Sequence, residues 1–162
     1  MEFDKSSEHY FGIDPGLSGV VAEIMEDGQI RFSACPTRKT GPKGRRENYI
    51  PGMAELGYDL GYATFGYLEK VTSNAVQYAG AAFTFGGNYW LWRGMLEIYG
   101  VAFELITPQA WKKVVGLPKG SKKNDAIALA LELYPDANIG KNHNKADALL
   151  MAEAARRHLA CE

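Results

Sequence analysis

An aspartate inside an apolar run needs a reason. Asp14 lies in Tyr10-Phe11-Gly12-Ile13-Asp14-Pro15-Gly16-Leu17-Ser18-Gly19-Val20-Val21, and a carboxylate buried in such a strand is costly unless something neutralises it. A divalent cation does so, because hard cations take carboxylate oxygens. The plainer alternative is that Asp14 opens a Pro-Gly turn. Two more acids stand out. Glu69 lies near the end of the strand-like stretch Ala63–Val71, and ligand sites in α/β sheets gather at the C-terminal ends of strands. Its alternative is a strand charge paired with a neighbouring Lys. Asp147 falls in the first turn of the last helix, where the macrodipole favours an anion in any case. His143 precedes it by four residues, so both can project from one helix face. Asn142 and Asn144 flank that histidine, and either amide oxygen is a weak ligand. A strand–strand–helix carboxylate cluster suits a two-metal phosphodiesterase, in which two cations about 3.5–4 Å apart act on one phosphate.

Bringing these acids together takes a sheet and a helix laid on it. The stretch 13–24 reads as a strand, a Pro-Gly turn and a second strand. Glu26-Asp27-Gly28-Gln29 is a hairpin turn and Ile30 to Ala34 a third strand, giving an antiparallel meander. A basic segment, Pro36 to Arg46, follows as a loop. Asn48 to Leu60 reads as a helix despite Pro51, Gly52 and Gly57. After the strand 63–71, Thr72 to Gly87 reads as a loop, and Tyr89 to Tyr99 as a helix closed by Gly100. Val101 to Ile106 is a strand, and Thr107 caps a short helix with Pro108 at its first position. Ser121 is the expected N-cap of a helix from Lys122 to Tyr134, and the last helix runs from His143 or Asn144 to Leu159. Ala146, Leu149, Leu150, Ala154 and Ala155 line its expected buried stripe. The order implies an α/β class, with a mixed sheet flanked by helices.

Composition narrows the class further. The chain of 162 residues suits one domain, expected over 10–160 behind a loose polar tail at 1–9, and 46% of it is hydrophobic. No apolar run approaches the roughly 20 residues of a membrane span, and no signal peptide is visible. Cys35 and Cys161 show neither metal spacing nor a disulfide framework, which favours a reducing, cytoplasmic compartment. Net charge is −1, yet Arg38, Lys39, Lys43, Arg45 and Arg46 crowd one segment and Lys112, Lys113, Lys119, Lys122 and Lys123 another. Such local patches either bind phosphate backbones or are simply solvated loops.

Five motifs in order resemble the RuvC-type Holliday-junction resolvases, the phage and organelle branch of the ribonuclease H-like superfamily. They are Gly12-Ile13-Asp14-Pro15-Gly16-Leu17-Ser18-Gly19, Leu68-Glu69-Lys70-Val71, Phe85-Gly86-Gly87-Asn88-Tyr89, Thr107-Pro108-Gln109-Ala110-Trp111-Lys112, and the stretch 141–150 around His143 and Asp147. The likeness runs roughly from Phe11 to Arg157. It implies a ribonuclease H-like fold with a five-stranded mixed sheet. It also implies a homodimer on four-way DNA junctions, nicking opposite strands symmetrically with two Mg²⁺ or Mn²⁺ per site and no small-molecule cofactor. A bacterial or phage source, with action in the bacterial or host cytoplasm, goes with that likeness.

By position, the likeness makes Asp14, Glu69 and Asp147 metal ligands. The family has an additional acid, sometimes His, just before the last helix. Here His143 or Asn142 fills that place, with Asn144 the alternative. Either His143 supplies the ligand, or an Asn standing for Asp weakens or silences the site. Lys112 and Lys123 are expected to touch the cut strand and share in catalysis. Lys39, Lys43, Arg45 and Arg46 are expected along a junction arm, and Lys113, Lys119 and Lys122 on DNA beside the site. Among Phe83, Phe85, Tyr89 and Trp90, the rings are core, or Phe83 or Phe85 stacks on bases at the junction centre. Trp92 and the stripe Met95, Leu96, Tyr99 are dimer interface or core. Three rivals remain. A junction-binding module without cleavage and a ribonuclease H-like nuclease on another nucleic acid both fit the acids. An actin-like or sugar-kinase phosphate loop does not fit a chain too short for its second lobe.

Overall fold

A computed structural model describes residues 8–71 and 79–160. Its strands are β1 (Tyr10–Asp14), β2 (Val20–Ile24), β3 (Ile30–Ala34), β4 (Thr37–Thr40), β5 (Arg45–Asn48), β6 (Phe65–Glu69) and β7 (Phe103–Ile106). Five of them form the main sheet, in the order β3-β2-β1-β6-β7. The first three pair antiparallel, as the meander predicts, while β6 pairs parallel with β1 and β7 parallel with β6. β4 and β5 form a separate antiparallel hairpin. The helices are α1 (Ile50–Leu60), α2 (Ala79–Ile98), α3 (Pro108–Val115), α4 (Lys123–Leu133) and α5 (His143–Leu159). The expected α/β architecture is therefore present. No helix among the described residues is long and apolar enough to cross a membrane.

Strand alternation sorts the core into two layers. Tyr10 and Ala22 face a cluster built with α3, α4 and α5, whereas Phe11, Ile13, Val21 and Leu68 face Met53 of α1 and Trp92 and Leu96 of α2. The central strands are buried on both faces, which explains their near-continuous apolar runs. Helix α5 lies directly on β1. A Cβ on Gly12 would collide with the Ala148 carbonyl and with Ala152, so glycine and alanines permit this approach. Burial on α5 covers Ala146 and every residue from Ala148 to Ala155, wider than the stripe its periodicity suggested. That breadth explains its many alanines, because the helix is wedged between the sheet, α3 and α4.

Several local expectations are corrected. The basic segment after Pro36 is the β4–β5 hairpin rather than a loop, its strands joined through Gly41 and Gly44 with φ of 67° and 60°. Asn48 ends β5, so α1 starts at Ile50. Residues 79–87 are helical, making α2 twenty residues long. Its glycines looked like breakers, but Asn88, Tyr89, Trp92 and Leu96 are buried, and tertiary packing overrides weak propensity. Residues 72–78 of the expected loop lie outside the described residues, as do residues 1–7 of the expected tail and Cys161. His9, also assigned to that tail, is 6% exposed and meets Glu23 at 3.0 Å. Lys122, not Ser121, occupies the cap of α4: Asp125 accepts the Lys122 N–H at 2.7 Å, while the Ser121 hydroxyl donates to the Pro118 carbonyl. The Thr107 cap with Pro108 beside it is present as expected.

Candidate active site

Register and pleat place the first two acids together. In the parallel pairing Ile13 lies opposite Leu68, so Asp14 and Glu69, each one residue further on, end adjacent strands. With a period of two, Asp14 shares the face of Tyr10 and Gly12, and Glu69 that of Tyr67. This is the face α5 covers. Asp147 then comes from the first turns of α5, between buried Ala146 and Ala148.

The three carboxylates sit in one electrostatic neighbourhood. Burial, then Glu69 and Asp147, push Asp14 up from 3.8 to about 8, and Lys123 pulls weakly the other way. Burial raises Glu69 above the ordinary carboxylate range and Asp147 adds to it, while a hydrogen bond from the Trp111 indole N–H at 2.8 Å and the Lys112 charge oppose. Burial likewise raises Asp147 against the pull of Lys112, His143 and Lys123. Three acids short of compensating positive charge are thus concentrated at one end of the sheet. As their side chains stand, no three His, Cys, Asp or Glu among the described residues form a closed metal-binding group. The donor set nevertheless fits a divalent cation: hard anionic oxygens, partly desolvated and mutually repelling, with two lysines alongside.

The candidates for the additional ligand are all engaged. Asn142 is the N-cap of α5, its Oδ1 accepting the N–H groups of Asn144 and Lys145 at 3.0 and 3.4 Å. Asn144 Nδ2 donates to the Ser18 carbonyl at 2.8 Å. His143 Nε2 lies 3.1 Å from Lys123 Nζ, which is the donor of that pair.

The basic residues flank this end in two groups. Lys112, Lys113 and Lys119 line an open groove of about 670 Å³ formed by α3 and the segment after it, beside Gly116, Gly120 and Ser121. Lys122 and Lys123 begin α4. Lys39, Lys43 and Arg45 are exposed on the hairpin. Arg46 is turned to the protein, donating to the Leu17 carbonyl and the Thr37 hydroxyl, each at 2.8 Å. The aromatic run divides. Tyr89 is core, Trp90 and Phe83 are 63% and 86% exposed, and the Phe85 ring lies against Gly16. Trp92 and Leu96 are core, and Tyr99 packs edge-on to Tyr58.

Sequence reasoning missed two residues. Trp111 drew attention only as one letter of a motif, yet a buried indole N–H needs an acceptor, and that acceptor is Glu69. Asn88 was likewise only a motif letter. It is fully buried, which an amide among aromatic residues hints at, and it accepts the Gly16 N–H at 2.6 Å.

No protein-family model and no curated protein matches the sequence. Solved structures do. Thermus thermophilus RuvC in complex with a Holliday junction substrate matches with a TM-score of 0.65 at 12% identity, over 95% of this chain and 96% of that one. A second Thermus thermophilus RuvC structure matches with a TM-score of 0.65 at 12% identity, over 94% and 96%. The yeast mitochondrial Holliday junction resolvase Ydc2 gives 0.43 at 14% identity, over 89% and 75%. The fold is that of RuvC, a ribonuclease H-like α/β fold.

Proposed function

We propose that this chain is a Holliday junction resolvase, a structure-selective endonuclease that nicks four-way DNA junctions by two-metal phosphodiester hydrolysis. The observation that carries this reading is the uncompensated carboxylate triad, Asp14, Glu69 and Asp147, set beside Lys112 and Lys123 at one end of a RuvC-type sheet. The neighbouring RuvC structure that holds a Holliday junction supports the choice of substrate. Asp14, Glu69 and Asp147 would hold two Mg²⁺ or Mn²⁺, with His143 or Asn142 as the remaining ligand. Those ions would polarise the scissile phosphate and lower the pKa of the attacking water.

The protein's own part is positioning and charge. Trp111 donates to one Glu69 oxygen and so fixes that carboxylate. Lys123 and Lys112 stand where a phosphate approaching the acids gains favourable charge, which counts for more in a site shielded from water. Lys113 and Lys119, on the groove, and Lys39, Lys43 and Arg45, on the hairpin, would bind backbone phosphates, which position DNA without reading sequence. A second copy is proposed to dock on α2. There Phe83, Trp90 and Ile98 are 86%, 63% and 76% exposed and recur at seven- and eight-residue spacing along one face. A two-fold dimer matches a substrate with two equivalent strands.

One observation favours a second reading. His143, Asn142 and Asn144 are each committed to another partner, which suits a junction-binding protein with a weak site. Incubating a labelled four-way junction and a matched linear duplex with Mg²⁺ or Mn²⁺ separates the two. Symmetric nicking of the junction, abolished in Asp14→Ala, is expected. Tight junction binding without nicking would leave the second reading, and no preference for the junction would sink both.

A further inference from the structure

The turn behind Asp14 is held at three successive residues by side chains from three separate elements. The Gly16 N–H donates to Asn88 Oδ1 of α2 at 2.6 Å. The Leu17 carbonyl accepts from Arg46 Nη2 of β5 at 2.8 Å. The Ser18 carbonyl accepts from Asn144 Nδ2 of α5 at 2.8 Å. The turn supplies only one internal bond of its own across this stretch, Gly19 N–H to Gly16 O at 3.0 Å. Gly16 has φ of 140°, a conformation suited to glycine, and the Phe85 ring closes over it, 3.4 Å from where a Cβ would stand. Behind the clamp, Asn88 Nδ2 donates to Asn48 Oδ1 at 2.7 Å, tying α2 to the end of the basic hairpin.

We propose that Asn88, Arg46 and Asn144 clamp the 16–18 turn and so position Asp14, and that Asn144 is an amide by requirement rather than a metal-ligand acid lost from the site. The proposal rests on the reading of Asp14 as catalytic. Its core is the polarity of one contact. Ser18 offers a carbonyl oxygen, so the group facing it must donate, and an ionised carboxylate is acceptor-only. Aspartate at 144 would lose the bond, set oxygen against oxygen, and add a fourth acid beside Asp14, Glu69 and Asp147. Asn142 differs, because it uses its oxygen as a helix cap, a role Asp fills equally well.

The two explanations of Asn144 order the variants in opposite ways. Under the clamp, single-turnover nicking of a four-way junction falls from wild type to Asn144→Ala, about tenfold, and further in Asn144→Asp, with junction affinity within twofold of wild type throughout. Amide hydrogen exchange at residues 16–19, measured on the full chain without metal or DNA, speeds up at least tenfold in both variants while exchange in β2 and α5 is unchanged. That local change with intact binding separates positioning from a general loss of structure. If Asn144→Asp nicks faster than wild type, Asn144 is a silenced ligand and the proposal falls. Unchanged exchange at 16–19 in both variants overturns it as well. A wild-type chain that nicks no junction overturns the nuclease reading instead, and the exchange measurement still decides the clamp.

Discussion

Five buried or half-buried carboxylates fall into two groups that the fold treats oppositely. Glu23 and Glu153 are 0% and 1% exposed, yet both stay below the ordinary carboxylate range. Burial alone would raise them. Glu23 is held down by hydrogen bonds from His9 and from Arg31, which meets it through Nε and Nη2 at 2.9 and 2.7 Å. Glu153 receives Arg156, Arg157 and the Tyr134 hydroxyl. Asp14, Glu69 and Asp147 retain some exposure, yet all three are raised. Among the described residues no arginine pairs with them, and the two nearby lysines make no ion pair with them within 4.0 Å. The chain therefore neutralises these acids where they are structural and leaves them short of positive charge at the end of the sheet. Acids raised by burial and by one another, rather than lowered by ion pairs, make this end of the sheet the candidate site.

The comparison breaks most visibly at Asp14. Asp14→Asn is expected to cut single-turnover junction nicking at least ~10³-fold, in line with loss of a strong transition-state stabiliser, while gel-shift affinity stays close to wild type. The same variant should be more stable than wild type without metal. The sign follows from the direction of the shift. A pKa raised from 3.8 to about 8 means the folded state favours the protonated acid, so the penalty is absent below the ordinary value, grows as pH rises above it and is complete above the folded one. Melting curves should therefore separate the two proteins at pH 8, by roughly 2–4 °C per kcal/mol recovered, and converge at a pH below 3.8. Mn²⁺ should likewise raise the wild-type Tm more at pH 8 than at pH 5. A destabilised Asp14→Asn at pH 8 would erase the contrast between the two groups.

Lys123→Met tests the cationic side of the site. Nicking should fall about 10–100-fold, the range of a positioned charge or proton-transfer group, with binding reduced far less. An unchanged cutting rate would remove Lys123 from the reaction. The structural acids respond in stability instead. Glu153→Gln and Glu23→Gln should each cost about 1–3 kcal/mol by urea denaturation, less than a fully buried pair because the arginines stay partly in solvent. Their folded pKa values are depressed, so their contribution is present above the unfolded value near 4.5 and is lost as pH falls through the folded one. The loss of stability on acidification should consequently be shallower in both glutamine variants than in wild type. The smallest effect belongs to the hairpin. Replacing Lys39 and Arg45 by Ala should lower the slope of log K against log salt by about 1–2, near 0.9 for each phosphate no longer neutralised.

Much of this architecture was readable from local pattern. The meander, the Thr107-Pro108 helix start and α5 follow from alternation, turn residues and caps, which act within a few positions. Three acids were picked out because each sat where its neighbours made it unusual. Long-range packing limited the rest. The extent of α2 was hidden by Gly80, Gly86 and Gly87, since the residues that hold it, Asn88 and Trp92, are stabilised by Gly16, Cys35 and Asn48 far away in the chain. The hairpin was hidden by its charge, because neither strand faces the core strongly enough to alternate.

The asparagines before Asp147 mark the same boundary. The family resemblance made both of them substitutes for a missing acid. Which atom each amide offers, and to what, depends on Ser18 being brought across from a segment 126 residues earlier. The sequence by itself determined which residues carry charge and where the meander, α3 and α5 begin, because propensity and patterning are local properties. Only the tertiary structure decided which acids are left uncompensated and which are paired, because that depends on partners that folding alone brings within hydrogen-bonding distance.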